Sequence, residues 1–419
     1  MAALHDLVAA EAAAANAAVP QLADAAVTAA LALAADRVTA RRDAILAANE
    51  ADIAGANGLD AGALDRLRLD DARLAALGGQ LRELSALPPL EREVESWRLP
   101  NGLEVSERRI PIGVVGANFE ARPNVAVDVA GQLLKSLNGA VLRTGGAALG
   151  TVTVLVDEVL RPALAEAGLP PEAVGLVRSP DREGARVLVS LPRLVPLVIL
   201  RGSGETTAAL ARQAAEHGVR TLAHAEGGGV LYVGEAADPD KVEALVAGSL
   251  DRLGVCNRLN LLLVDEGATP LLEPVLAVLH GLGIEARGTE RARAHAELAP
   301  LDVRIGHEWA NDPDRVATVT VDVVTGPGEA LAIANGETSA LAATVVTEDS
   351  EVAEAFLAGY RGTAAFWQAP TRFTDGFALT GAPETGINVD WVPGPRGPVT
   401  YRDLWLRQYR VVGDGTQRR

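Results

Sequence analysis

The sequence predicts an α/β protein built on parallel sheets, and three observations carry that expectation. Short apolar runs closing on glycine or a polar residue recur from residue 110 onward. Alanine- and leucine-rich helical segments separate many of them, and a block of purely helical period precedes them all. Strands that alternate with helices imply parallel layers. At 419 residues the chain is longer than one hydrophobic core usually serves, so two or three domains are expected.

Residues 1 to about 90 repeat apolar positions at spacings of three and four, as in "VTARRDAILAANEADIAGA", and read as helices up to Pro88 and Pro89. Between Arg92 and Gly116 two strand-like runs flank a Pro-Asn-Gly turn at 100–102, which signals a hairpin. "IPIGVVG", "AVLRTGG", "VGLVRS", "LVPLVILRGSG", "VRTLAHAEG", "GVLYVG" and "NLLLVD" are the strand candidates that follow. "VATVTVDVV", "AATVVTED" and "GTAAFW" extend the pattern into a second sheet. The tail, "VTYRDLWLRQYRVVGDG", alternates like one more strand, and its Trp405 and Tyr409 are expected against a partner chain or another domain.

Composition narrows the function. A formal charge of −17 opposes nucleic-acid binding, which needs a basic stripe to neutralise phosphates. Only Lys135 and Lys241 are lysines, so any mechanism that needs one can be checked at two positions. The alanine-dominated stretch at 25–35 is far shorter than the ~20 apolar residues of a membrane span, and the start lacks the pattern of a signal peptide. A cytoplasmic protein that meets neither membrane nor nucleic acid is expected. Six scattered histidines and one cysteine leave no metal-ligand spacing, so no metal is expected. "GSGET" at 202–206 is not a serine nucleophile elbow.

Four stretches remain as carriers of chemistry. "GVCNRLNLLLV" holds Cys256, the single cysteine, which is either a small buried hydrophobe or a nucleophile. "FEARPNVAVDVA" places Asn124 beside Pro123, a residue suited to the first position of a helix. Asn124 is either a helix cap or a neutral donor for an oxyanion. "VLRTGGAALG" sets Arg143, Gly145 and Gly146 at a strand end, and "LRGSGET" sets Gly202 and Ser203 before a helix. Both read as anion-tolerant turns.

"IPIGVVGANFEARPNVAVDVAGQLLKSLNGAVLRTGG", "VILRGSGE", "AHAEGGGVLYV", "VCNRLNLLLV", "VVTEDSEVAEAFL" and "APTRFTDGFALTGAPETGI" stand in an order and spacing that resembles the γ-glutamyl phosphate reductase (glutamate-5-semialdehyde dehydrogenase) family. That family is a branch of the aldehyde dehydrogenase superfamily, and the resemblance spans nearly the whole chain. It implies that Cys256 is the nucleophile attacking an acyl phosphate, and that Asn124 stabilises the oxyanion together with the Cys256 amide. A thiolate attacks well and leaves well, which divides one difficult reduction into two easier steps. The resemblance further implies that Arg143, Gly145, Gly146, Gly202 and Ser203 contact a nicotinamide cofactor, with Asp312 as its ribose partner, and that Arg122, Arg372 and Phe373 bind substrate. On the residues alone, Arg372 is either a fork for a substrate carboxylate or a structural salt bridge. Gly146 stands where relatives that prefer NAD often carry an acid, so NADPH is the expected cofactor.

The chain also departs from the family pattern. Asn260 replaces a usual Glu, Gly229 and Val230 replace a common Cys-His pair, and Leu341 lies roughly where a histidine stood. Exchanges of this kind change which substrate groups find partners. The expected architecture is the aldehyde dehydrogenase arrangement. A Rossmann-type cofactor domain is expected from 1–92 and 112–225, an α/β catalytic domain from 226–375, and an oligomerisation flap from 93–111 and 387–419. Flap edges would be covered in a homodimer or homotetramer. The expected activity is reduction of L-glutamyl 5-phosphate, made by an upstream carboxylate kinase, as in proline biosynthesis. The alternatives are a different kinase-activated acid in a specialised pathway, or a catalytically silent binding protein of the same fold.

Overall fold

The computed structural model describes residues 2–59, 61–202, 204–224, 227–253, 255–301, 317–389 and 395–418. Helices α1 (Ala2–Ala18), α2 (Asp24–Ala40), α3 (Arg42–Gly55), α4 (Ala61–Leu67) and α5 (Asp71–Ala86) open it, as the helical spacing predicted. Leu31, Ala34 and Val38 on α2 pack in one core with Leu74, Leu77 and Leu81 on α5, the burial that stabilises helices of weak intrinsic propensity. Asp70 begins α5 by accepting the Arg73 amide at 2.8 Å.

The predicted hairpin is present. Strands β1 (Glu93–Arg98) and β2 (Glu104–Pro111) pair antiparallel. The turn closes as the Leu99 amide donates to the Leu103 carbonyl at 2.8 Å. Gly102 lies there at φ 88°, a left-handed conformation that glycine adopts without a steric penalty.

A parallel sheet follows, containing β3 (Val114–Phe119), β4 (Gly139–Thr144), β5 (Val174–Leu176), β6 (Leu197–Arg201) and β7 (Arg220–His224), in the order β5-β4-β3-β6-β7. Alternation in β3 splits its side chains between two cores. Val115, Ala117 and Phe119 face α2, α5 and helix α6 (Pro123–Lys135), whereas Val114 packs with Val8 and Ala12 of α1. Cover on both faces suits a parallel sheet. The chain moves from β3 one way to β4 and β5, then returns to β6 on the other side. Loops after β3 and β6 therefore diverge, which opens a crevice at the carboxyl ends of the strands where ligands of doubly wound sheets bind.

The second parallel sheet contains β8 (Gly229–Val233), β9 (Leu259–Asp265), β10 (Glu285–Gly288), β11 (Ala299–Pro300), β12 (Thr318–Val324), β13 (Ala342–Val346) and β14 (Ala364–Trp367), in the order β11-β10-β12-β9-β8-β13-β14. Asn260 is an extra residue in it, because Gly229 pairs with Leu259 and Val230 already pairs with Leu261. Such bulges re-aim side chains and concentrate near functional sites.

Strands β15 (Gly386–Asn388) and β16 (Gly397–Val399) form a small antiparallel pair, and Val399, Tyr401 and Leu404 enter the core shared by α2 and α6. Strand β17 (Trp405–Val412) then adds to β2 and completes an antiparallel three-stranded sheet. Trp405 lies under the Arg109 guanidinium at 5.1 Å, whereas Tyr409 meets Trp97 edge-on and stays 52% exposed. No helix among the described residues is long and apolar enough to cross a membrane.

Candidate active site

Cys256 lies in the loop that enters β9. It is half-buried and packs against a cluster of Leu341, Ala342 and Ile387, with Phe366 alongside. Two glycines run across it. The Gly228 amide donates to the Cys256 carbonyl at 2.6 Å, and a Cβ at Gly227 would lie 2.6 Å from the Cys256 Cβ. No side chain fits at 227 while the cysteine keeps this position.

The neighbouring Asn257 is the anchor of the loop. Its Nδ2 donates to the carbonyls of Arg372 at 3.1 Å and Thr374 at 2.9 Å, while Thr371 Oγ1 donates to the Asn257 carbonyl at 2.8 Å. Arg372 is held by Asp251, with Nε to Oδ1 at 2.6 Å, and also donates to Asn257 Oδ1. Thus the Cys-Asn pair and the T-R-F-T-D-G run, distant in sequence, form one hydrogen-bonded clamp. Satisfied buried networks of this kind fix a single conformation. Phe373 projects from the clamp with 49% of its surface exposed.

The facing wall is built from the ends of β3 and β6. Pro123 begins α6 without any side-chain cap from Arg122. Asn124 Nδ2 donates to Asp128 Oδ2 at 3.1 Å, one helical turn on. That uses one of the two N–H groups of the amide and leaves the second for another acceptor. Arg201 ends β6, opposite Phe119 of β3 and His224 of β7. Its charge acts on Cys256, Asp128, Glu384 and Arg122, so it links both walls.

Burial sets the ionisation of this group. The Cys256 thiol is pushed up to about 11, first by burial and then by Glu384, with Arg201 and Arg122 opposing. Glu384 is pushed up to about 7 by burial and by Asp375, against Arg201 and the Gly376 amide, which donates to Glu384 Oε2 at 2.7 Å. Asp128 rises to about 6 by burial, restrained by Arg201 and the Asn124 hydrogen bond. Arg122 keeps an exposed side chain, yet the protein around its guanidinium pushes it down to about 10, helped by Arg201 and Arg66. Carboxyl groups and thiol all lean toward their neutral forms, as desolvation requires.

The remaining sequence-predicted residues lie along the first sheet. Arg143 at the end of β4 is buried, with Nη1 donating to Asn118 Oδ1 at 3.2 Å and Nη2 to the Asp181 carbonyl at 3.0 Å. Gly145 has open space around it, a Cβ at Gly146 would come within 3.1 Å of Pro180, and one at Gly202 within 2.9 Å of Glu120 Oε1. Gly146 and Gly202 thus let Pro180 and Glu120 pack against the strand ends, and only Gly145 faces open space there, at the carboxyl ends of the strands where doubly wound sheets bind dinucleotides. Ser203 and Asp312 lie outside the described residues. Neither lysine is in the cleft: Lys135 donates to Thr28 and Ser85, and Lys241 pairs with Glu348.

Sequence reasoning missed four residues here. Arg201 stands in a segment read only for its glycines, although an arginine closing a buried strand was its available signal. Asn257 appeared as half of a motif, not as an anchor. Asp128 sits one turn after Asn124 on α6, and nothing in the sequence around Glu384 marks it. Asn260, noted as a departure, is 2% exposed and packs near Gly228, and among the described residues neither Oδ1 nor Nδ2 has a partner. Leu341 does pack with Cys256 and places an apolar wall beside the thiol.

A half-buried cysteine between two parallel sheets, beside the crevice at the strand ends of the first, defines a class of protein that comparison establishes: residues 3–280 match the Aldehyde dehydrogenase family, and the chain belongs to it. Enzymes of this family are oxidoreductases that use nicotinamide cofactors on small-molecule substrates. The chain is 35% identical over 391 residues to the γ-glutamyl phosphate reductase of Zymomonas mobilis, covering 92% of this chain and 90% of the relative. Identity to the γ-glutamyl phosphate reductase of a Bradyrhizobium species is 35% over 389 residues, covering 91% and 88%. The crystal structure of γ-glutamyl phosphate reductase from Thermotoga maritima superposes with a TM-score of 0.92 at 27% identity, over 99% of this chain and 100% of that one.

Proposed function

We propose that the chain reduces L-glutamyl 5-phosphate to glutamate-5-semialdehyde and phosphate through a thioester on Cys256, with NADPH as cofactor. The observation that carries this reading is the clamp that fixes the Cys256 loop where the charges of Arg201 and Arg122 act on its thiol, in a chain 35% identical to γ-glutamyl phosphate reductases. Cys256 Sγ bonds to the acyl carbon, the bond from that carbon to the phosphate oxygen breaks, and the thiol proton departs with phosphate. The free N–H of Asn124 stabilises the oxyanion on the way, held in place by Asp128. NADPH, when bound at the strand ends of the first sheet, supplies the hydride. Glu384, with a pKa near 7, is suited to deliver the proton that the product side requires. Asn257 and Thr371 keep Sγ in register throughout. The flap sheet, with exposed Leu406, Tyr409 and Val411, serves as the dimer or tetramer contact in this reading.

The test runs the reaction in reverse with glutamate-5-semialdehyde, phosphate and NADP⁺ and follows reduced nicotinamide by absorbance. Phosphate-dependent growth is expected, and its absence would overturn the reading. A second reading keeps the chemistry and changes the acid. The apolar wall of Leu341, Phe366 and Ile387 beside the thiol favours it, and activity confined to a different aldehyde would select it.

A further inference from the structure

Arg201 is placed where a ligand of the first sheet must pass: at the carboxyl end of β6, in register with Phe119 and His224, beside the crevice where the strand order reverses. It is half-buried. Among the described residues its guanidinium makes no hydrogen bond and no ion pair, and the same is true of Arg122. That sets Arg201 apart from other enclosed arginines of the chain. Arg143 is bound to Asn118 and Asp181, Arg161 to Val174 and Glu11, and Arg92 to Asp24. Among the described residues no carboxylate pairs directly with either arginine: Asp128 accepts from Asn124, Glu384 accepts from the Gly376 amide, and Glu120 packs against Gly202. Two like charges facing one thiol repel each other, and Arg122 is depressed partly by Arg201. Such an arrangement is completed by an anion of high charge density that arrives with the substrate. Arginine matches phosphate oxygens through two parallel N–H bonds.

We infer that Arg201, seconded by Arg122, is the phosphoryl subsite: it binds the phosphate of the acyl phosphate beside Cys256 and receives the phosphate that leaves. The inference rests on the acyl-phosphate reading above and adds the residue that selects for it. Arg201 stabilises the departing oxygen as the carbon–oxygen bond breaks, and the thiol proton leaves with that phosphate. In the reverse direction it seats inorganic phosphate for attack on the thioester.

The test uses Arg201→Met and Arg201→Lys in the full chain. In the reverse reaction Arg201→Met is expected to raise KM for inorganic phosphate by about tenfold to a hundredfold, as for a lost charge-assisted pair. KM for the semialdehyde and for NADP⁺ should shift far less. Arg201→Lys, which keeps charge and loses the fork, should fall between. A rise in KM for NADP⁺ alone would assign the cation to a cofactor phosphate and overturn the inference, as would equal rises for all three. A second readout needs no turnover. Inorganic phosphate should slow alkylation of Cys256 by iodoacetamide in the unsubstituted protein, lose that effect in Arg201→Met and keep part of it in Arg201→Lys. Equal protection in all three proteins would overturn the inference, whereas protection without any phosphate-dependent turnover would overturn the proposed reaction instead.

Discussion

The two walls of the cleft are held by different means. On the side of the second sheet, the Cys256 loop is fixed by hydrogen bonds that leave Asn257 and Thr371 fully engaged. On the side of the first sheet, Arg122 and Arg201 carry charges with no bonded counterpart among the described residues, and Asp128 and Glu384 are biased toward neutrality. Position is therefore settled before substrate arrives, whereas ionisation is not. A thiol pushed up to about 11 is a weak nucleophile at neutral pH, and it becomes a strong one when the surrounding charge changes.

The largest effect should come from breaking the fixed wall at its reacting atom. Cys256→Ala is expected to abolish turnover to background while leaving cofactor binding measurable by fluorescence titration. On the opposite wall, Asn124→Ala should lower kcat by about a hundredfold to a thousandfold, the usual loss for one oxyanion donor, with KM little changed in steady-state assays. Asn257→Ala removes two buried donor contacts and leaves the Arg372 and Thr374 carbonyls unpaired. It should lower the unfolding free energy by roughly 2–4 kcal/mol in denaturant titrations.

The smallest effect sharpens the contrast. Glu384 ionises with a folded pKa of about 7 against 4.5 for a free side chain, so its burial penalty is absent below pH 4.5 and fully present above pH 7. Glu384→Gln should equal the unsubstituted protein near pH 4 and exceed its stability at pH 8, by on the order of 1–3 kcal/mol. Cys256 in that variant should alkylate faster at pH 8, because the charge that raises its pKa is gone. A variant less stable at pH 8 than at pH 4, relative to the unsubstituted protein, would contradict this.

Much of the fold was legible because its strands are buried apolar runs that end on glycine, and the hairpin announced itself through Gly102. Strands β10, β11, β15 and β16 were not, since "EARG", "AP", "GIN" and "GPV" hold no apolar run that stands out from a loop. In the site, Cys256 was legible through its rarity, and Asn124 through its place after Pro123. Arg201 was not, because its meaning comes from a cysteine 55 positions away in sequence and on another sheet. Arg372 read equally as a fork for substrate or a structural bridge, and its side chain is engaged by Asp251 and Asn257. Glu384 follows Pro383 without pattern, and only its approach to Gly376 and Cys256 gives it a role.

The most direct test asks whether the sulfur carries the acyl group. Mixing the protein with glutamate-5-semialdehyde and NADP⁺ in the absence of phosphate should give a single-turnover burst of reduced nicotinamide. The acyl adduct should then be found on the Cys256 peptide by mass spectrometry, and added phosphate should discharge it and restore turnover. Sustained turnover without phosphate, or a burst that leaves Cys256 unmodified, would contradict the account.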